Sequence, residues 1–164
     1  MVYSVHIPGS YNFEARGIPE ECFQHIIDVP PNDFEALEAA FKNNQDKGGI
    51  AAVIVEPVGG ESGTHPAHPQ WNKTIRSLCD RYESLLIFDE VVTGFRLGMG
   101  GAQKYFNLMP DLTVLGNIIT HGFPSSGTVA GRRGVAQACS GHFRDKVRTG
   151  GTLCAPPIYT AAYP

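Results

Sequence analysis

The 164-residue chain carries 13 lysines and arginines against 16 aspartates and glutamates, for a formal net charge of −3. Its basic residues are scattered, so no nucleic-acid footprint and no polybasic membrane segment is expected. No apolar run approaches the ~20 residues of a membrane span, so no membrane partner is expected either. A chain of this length can bury roughly two-thirds of its unfolded surface, which is enough for one domain.

The N-terminus and the cysteines indicate the compartment. The first 17 residues show no basic region followed by an apolar core, which is the pattern of a signal peptide. The cysteines are far apart and form no CxxC pair, so reduced thiols are expected rather than disulfides or a zinc site. A cytoplasmic protein is therefore predicted. The four cysteines are Cys22, Cys79, Cys139 and Cys154.

The first half of the chain predicts one helix and one strand after an irregular start. Prolines and glycines break any periodicity in residues 1–31. Asn32 or Asp33 then caps a helix that runs to about Asn44 and carries one apolar stripe. The apolar run IAAVIV, at Ile50–Val55, predicts the first buried strand.

A second helix and strand follow in the same pattern. Pro69 suits the first turn of a helix that runs to about Tyr82. The strand Ser84–Phe88 is continuously apolar, which predicts burial of both faces in a parallel sheet. The order strand, helix, strand predicts a right-handed crossover. Later predicted elements are a short helix near Gln103–Phe106, strands at Leu112–Leu115 and Gly127–Ala130, and a helix at Arg132–Ser140.

A carboxylate stands where the second strand ends. Ligands of open parallel sheets bind at the carboxyl ends of the strands, and Asp89 occupies that position. Burying a carboxylate is costly unless it meets a cation or a hydrogen-bond donor. On spacing alone, Asp89 could equally cap a following helix or pair with a nearby arginine.

The loop after the first strand gives weaker signals. Ser62, Gly63 and Thr64 lack the lysine and the GxxxxGK pattern of a phosphate loop. Glu61 and the histidines at 65 and 68 lack regular metal-ligand spacing, so no metal is predicted. This segment is predicted to be a loop beside the site.

Four motifs in a fixed order make the sequence more informative. They are IVEP at Ile54–Pro57, LLIFDEVVTGFR at Leu85–Arg96, GGAQKYF at Gly100–Phe106 and PDLTVLGNII at Pro110–Ile119. Together they resemble the class III aminotransferases that use pyridoxal phosphate, most of all the glutamate-1-semialdehyde aminomutase branch of that family. The resemblance runs from about Gly9 to Ala162, which is nearly the whole chain.

The resemblance implies an α/β fold, that of the fold type I pyridoxal-phosphate-dependent transferases, with a mostly parallel sheet and helices on both faces. Residues 1–164 are then expected to form part of the large domain, without the N-terminal segment and the C-terminal small domain of the family. Pyridoxal 5'-phosphate is the implied cofactor. A small-molecule amino donor and acceptor, and a second copy of the chain in a homodimer, are the implied partners.

The resemblance also carries residue roles. Asp89 matches the aspartate that keeps the cofactor ring nitrogen protonated, and Val91 matches the side chain that packs on one face of the ring. Thr152 matches a threonine that contacts the cofactor phosphate from the neighbouring subunit. Glu56 and Glu90 lie in matching motifs and are expected to support the site rather than to react.

The most important departure from the family pattern is at Asn117. Family members have there the lysine that forms a Schiff base with the cofactor, in LGKIIGGG, whereas this chain has LGNIITHG. An amide nitrogen is not nucleophilic, so residue 117 cannot bind the cofactor covalently or shuttle a proton. Loss of general acid–base help alone should cost on the order of 10²–10⁴ in rate. Lys104 and Lys146 are not obvious substitutes, and His121 is expected to have a surface or packing role rather than to act as a base.

Two further departures concern contacts around the cofactor. Ile7-Pro8-Gly9 replaces Tyr-His-Gly, which removes an aromatic residue that stacks near the ring, and Tyr11 lies close but not in the same place. Cys154-Ala155-Pro156-Pro157 replaces most of SGNP in the family's GGT segment.

Three interpretations remain open from the sequence. The chain is a fragment or divergent copy of a class III aminotransferase-type enzyme, a non-catalytic homologue that binds pyridoxal phosphate or a partner subunit, or an engineered variant that lacks the lysine. The third is weakened because Ile7-Pro8 and Cys154–Pro157 depart as well.

Overall fold

A computed structural model describes residues 2–3, 19, 21, 24–116, 119 and 127–139. The chain divides into two compact units, Met1–Phe88 and Asp89–Pro164. No helix in the described residues is long and apolar enough to cross a membrane.

The first unit is built on parallel strands. These are β1 (Val2–Tyr3), β2 (Ile27–Asp28), β3 (Ala52–Val55) and β5 (Leu85–Asp89), in the order β2-β1-β3-β5. Every neighbouring pair among them is parallel, and Val55 lies beside Phe88. The predicted strands at Ile50–Val55 and Ser84–Phe88 are thus confirmed within two residues at their ends.

Two helices flank β3 in the chain, as the apolar spacing predicts. Helix α1 (Phe34–Lys42) begins where the Asp33 carboxylate accepts a hydrogen bond from the Ala36 N–H at 2.8 Å. That contact satisfies one of the donors left open at a helix start. Helix α3 (Trp71–Arg81) packs against α1 and β3. It begins two residues after Pro69, because the His68 carbonyl accepts the Trp71 N–H and closes a turn first.

The core of the first unit lies between these helices and the sheet. Leu86 and Phe88 are fully buried, whereas Leu85 and Ile87 are only partly covered. The face of β5 that carries Leu86 and Phe88 is therefore buried as predicted, whereas the opposite face is only partly buried. At the helix interface, the rings of Phe34 and Trp71 meet edge to face, with centroids 5.2 Å apart.

The loop after β3 contains structure that the sequence did not predict. Residues Gly60–Gly63 form one helical turn, α2, and His65–Pro66 form a short strand, β4. Gly59 pairs with Pro66 as an antiparallel bridge at φ 126°, and a Cβ at Gly59 would collide with the His65 carbonyl. Only glycine tolerates both conditions. The predicted loop thus contains one helical turn and a short strand, and its expected place beside the site stays a prediction.

The second unit contains a helix and an antiparallel pair of strands. Helix α4 covers Gly101–Phe106, and β6 (Leu112–Leu115) pairs with β7 (Thr128–Gly131). The β6 prediction is confirmed, while β7 lies one residue later than predicted. The predicted helix at Arg132–Ser140 was too long: α5 covers Arg133–Ala136, and a 3₁₀ turn continues from Gln137 to Cys139.

Candidate cofactor site

Asp89 is the last residue of β5, and its carboxylate caps the turn that follows. Its Oδ1 atom accepts a hydrogen bond from the Val91 N–H at 3.1 Å. Within the described part of the chain, this is the only partner of that carboxylate. Asp89 thus caps a turn rather than a helix, and no arginine pairs with it among those residues. Among the described residues, the second carboxylate oxygen at the end of the strand therefore has no partner.

Val91 is held in place by a glycine that the sequence did not single out. A Cβ atom added to Gly116 would lie 2.6 Å from Cγ1 of Val91. Gly116 directly follows β6 and is buried. The Val91 side chain therefore occupies the space that a larger residue at 116 would need. The motif LGN shows the glycine in the sequence, but only the structure shows what it accommodates.

Glu90, between these two residues, turns inward. Its side chain is 1% exposed, and its Oε2 atom accepts the Ala102 N–H at 2.8 Å. Burial raises the pKa of the Glu90 carboxyl, and the hydrogen bond from Ala102 partly opposes that shift. A Cβ at Gly101 would lie 2.8 Å from the same oxygen, so glycine there leaves room for the carboxylate. The sequence predicted a supporting role for Glu90 but not this partner, which lies 12 positions away.

The segment 91–100 leads from this carboxylate to α4. The Gly94 N–H donates to the Glu90 carbonyl at 2.9 Å, which closes the first turn. Phe95 adopts φ 63° and is 42% exposed, a left-handed conformation that is rare for a bulky side chain. Arg96 Nε donates to the Val92 carbonyl at 2.6 Å. The segment is thus a series of turns rather than an open loop.

Glu56 belongs to the other unit and follows β3. It is partly buried, and its carbonyl accepts the Gly59 N–H at 3.1 Å. The carbonyl of Pro57 accepts the amide Nδ2 of Asn72, from α3, at 2.7 Å. These contacts fix the turn after β3 onto the helix, and the supporting role expected for the Glu56 side chain stays a prediction.

Several predicted positions lie outside the described residues. They include the two most informative ones, Asn117 and Thr152. The structure therefore describes the surroundings of Asp89 and Val91, and the roles of all four residues toward the cofactor stay predictions. The further positions outside the described residues are Ile7, Pro8, Gly9, Tyr11, His121, Lys146 and Cys154–Pro157.

The described residues suit one part of the predicted cofactor. An available carboxylate oxygen can pair with a protonated ring nitrogen, because hydrogen bonds between charged groups are stronger than neutral ones. Beside it, Val91 offers a branched apolar surface of fixed position, which suits the face of an aromatic ring. Groups of three or more histidine, cysteine or acidic side chains that could hold a metal do not occur in the described residues.

Comparison with known proteins identifies the family. The family model for class III aminotransferases matches residues 12–163. The glutamate-1-semialdehyde 2,1-aminomutase of Ignicoccus hospitalis is 44% identical over 156 residues, which is 95% of this chain and 34% of that protein. The chain thus spans about a third of the length of the curated relatives it matches.

Solved structures agree with the sequence comparison. An omega-transaminase from Sphaerobacter thermophilus superposes with a TM-score of 0.79 at 28% identity, over 98% of this chain and 41% of that one. A glutamate-1-semialdehyde aminomutase from Pseudomonas aeruginosa, in complex with PMP, gives 0.68 at 28% identity, over 93% of this chain and 37% of that one. The chain belongs to the class III aminotransferase family, whose members depend on pyridoxal phosphate. The predicted family and fold class are confirmed.

Proposed function

We propose that this chain forms part of the large domain of a pyridoxal-phosphate-dependent aminotransferase or glutamate-1-semialdehyde aminomutase-like protein. The observation that carries the proposal is the Asp89 carboxylate at the end of β5, where Oδ1 accepts the Val91 N–H and the second oxygen has no partner among the described residues. When bound, the cofactor acts as an electron sink for bonds at the amino-bearing carbon of a substrate. Asp89 would hold a proton on the ring nitrogen, and Val91 would fix the plane of the ring.

Residue 117 limits what this chain can do with the cofactor. Asn117 stands where the family has its reactive lysine, and it has no amine with which to bind the cofactor covalently or to move a proton. We infer that amino-group transfer by this chain is impaired, on the order of 10²–10⁴-fold from the missing acid–base group alone. Loss of the covalent route adds to that cost.

Asn117 also favours a second candidate function. A homologue that keeps Asp89 and Val91 but lacks the lysine retains groups for holding the cofactor and loses the group for turnover. In that case the chain binds pyridoxal phosphate, or a partner subunit, without catalysis. Both candidates share the cofactor and differ in whether an amino donor is converted.

One titration tests the shared part. The chain is titrated with pyridoxal phosphate and, separately, with pyridoxamine phosphate, which has no aldehyde. Because neither ligand can bond covalently to Asn117, both should bind with affinities within about threefold of each other. No saturable binding of either ligand would contradict the proposed cofactor. An amino donor is then added to the protein with bound pyridoxal phosphate. Conversion of the donor would support the enzyme, and no conversion would support the cofactor-binding protein without catalysis.

The partner proposal is a homodimer. Its support is the match of Thr152 to a residue that reaches the cofactor of the neighbouring subunit. Light scattering across a concentration series should show a dimer, and a monomer at high concentration would count against it. A mixed dimer of Thr152→Ala and Asp89→Asn chains should retain cofactor binding at fewer sites than the unmodified dimer.

A further inference from the structure

Glu90 is held at three points within the second unit. Its N–H donates to the Val114 carbonyl at 2.9 Å, which connects it to β6. Its carbonyl accepts the Gly94 N–H at 2.9 Å, which closes the turn after Val91. Its Oε2 accepts the Ala102 N–H at 2.8 Å, which connects it to α4.

The Glu90 side chain supplies a buried acceptor oxygen for the Ala102 N–H. The Glu90 side chain is 1% exposed, so its oxygens are removed from water. Removing a buried acceptor leaves its donor unsatisfied, which destabilises the folded state. Gly101, at φ 57°, has no Cβ where one would press on the same oxygens at 2.8 and 3.0 Å. The surrounding backbone therefore leaves space for this group.

The position of Glu90 in the chain makes this contact relevant to the site. Asp89 and Val91 are its direct neighbours, and they are joined to each other by the Oδ1 to N–H hydrogen bond. The contacts that hold Glu90 therefore also hold the backbone that carries Asp89 and Val91, the two residues proposed to contact the cofactor. The contact with Ala102 also closes the segment 91–100 at its far end, where Phe95 holds a left-handed conformation.

We propose that Glu90 is a positioning residue: its buried carboxylate joins the start of α4 to the strand end and thereby sets the orientation of Asp89 and Val91 toward the cofactor. This inference rests on the proposed function and names a residue that acts through its neighbours rather than by contact with the cofactor. A shift of the strand end by about 1 Å would be costly, since orientation effects of that size reach 10²-fold in enzymes.

The test compares two substitutions at one position. Glu90→Leu removes both acceptor oxygens and keeps comparable bulk, whereas Glu90→Gln keeps one oxygen that can accept the Ala102 N–H. Glu38→Leu is the matched control, because Glu38 lies on the half-exposed face of α1 in the other unit. Amide hydrogen exchange of Val91, Gly94 and Ala102 is measured without ligand, and pyridoxal phosphate is then titrated by absorbance and by circular dichroism at the cofactor band.

Glu90→Leu should accelerate exchange at Val91 and Ala102 at least tenfold and weaken pyridoxal phosphate binding at least tenfold, with loss of the cofactor dichroism. In Glu90→Gln, the amide exchange rates, the affinity for pyridoxal phosphate and the cofactor dichroism should all stay within about threefold of the parent values. Unchanged exchange at Val91 in Glu90→Leu would overturn the proposal, as would a glutamine variant no better than the leucine variant. If Glu90→Leu lowered the melting temperature but left the affinity for pyridoxal phosphate and the cofactor dichroism unchanged, Glu90 would have only a structural role. That result would also overturn the proposal.

Failure of the proposed function has a different signature. If the parent chain binds no pyridoxal phosphate, the cofactor assignment falls, while exchange at Val91 still decides whether Glu90 fixes the strand end. If Glu90→Leu does not fold, Gly101→Ala gives the second perturbation, because its Cβ crowds the same carboxylate. Parent-like protection of Val91 in that variant would overturn the proposal.

Discussion

The side chain of Val91 lies in the space beside Gly116, where a Cβ atom would be 2.6 Å from Cγ1. This contact joins the residue after β6 to the residue that is expected to pack on the cofactor ring. Its fit leaves no room for a methyl group. The space at residue 116 therefore sets where the Val91 side chain can stand.

Gly116→Ala should displace Val91 and destabilise the protein by about 1–3 kcal/mol, which is the usual cost of overpacking. Pyridoxal phosphate binding should weaken in the same variant. Denaturant unfolding and a cofactor titration measure the two effects. Gly134→Ala is the control, since a Cβ there meets nothing within 4 Å. Adding Val91→Ala should recover part of the lost stability, and no recovery would show that the strain lies elsewhere.

Asp89→Asn should weaken pyridoxal phosphate binding more than it weakens the fold. The amide can still accept the Val91 N–H, but it has no charge to hold a proton on the ring nitrogen. Hydrogen bonds to charged groups contribute about 1.5–3 kcal/mol, so roughly a 10- to 100-fold rise in Kd is expected. Equilibrium titration measures it, with exposed Asp46→Asn as the control. An unchanged Kd would remove Asp89 from the site.

Asn117→Lys should introduce an amine that can react with the cofactor aldehyde. Borohydride treatment followed by peptide mapping should then find cofactor attached at residue 117 in the variant and not in the unmodified chain. Turnover should stay weak, because Ile7 cannot stack as the family's aromatic residue does. Robust transfer from an amino donor by this single variant would contradict that expectation. Asn107→Lys, at the exposed C-terminal end of α4, controls for nonspecific reaction of an added lysine.

Glu90 should make stability depend on pH in a defined direction. Burial raises the pKa of this carboxyl above 4.5, so the folded state binds the proton more tightly than the unfolded state. Its contribution is therefore most favourable below that pH and is lost as the pH rises through the folded-state pKa. The difference in unfolding free energy between Glu90→Gln and the parent should shift in favour of the variant as the pH rises from 4.5 through the folded-state pKa. Urea unfolding at several pH values measures it, and a difference that stays constant with pH would be contrary evidence.

The sequence predicted those helices and strands that are determined by residues close to one another in the chain. Helix α1 was placed correctly because its cap, Asp33, and its apolar stripe lie within a few residues of each other. The burial of Glu90 could not be predicted in the same way. It depends on contacts with Gly101 and Ala102, which lie more than ten residues further along the chain, after a series of turns. The α2 and β4 elements were missed because a bridge at Gly59 depends on a positive φ that sequence spacing does not show.

The resemblance added what spacing could not. It predicted Asp89 as a ligand for the cofactor, whereas spacing alone left helix capping and arginine pairing equally open. The contact found, a turn capped by one oxygen, fits neither of those alternatives. Gly116 was inside a quoted motif, yet its role depends on the volume of Val91 and so became visible only in three dimensions.

The hydroxyl of Ser84 donates to the carbonyl of Ile50, and the Leu85 N–H donates to Ala51, so β5 begins against the start of β3. Ser84 and Ile50 are 34 positions apart in the chain, whereas the β1–β3 pair Val2 and Val53 is separated by a longer stretch. Closing the shorter loop costs less chain entropy, and local pairings tend to form faster. We therefore expect β3, α3 and β5 to assemble before β1 joins them. In pulse-labelled refolding, the Leu85 amide should gain protection earlier than that of Tyr3, and the reverse order would show that the N-terminal strand initiates the sheet.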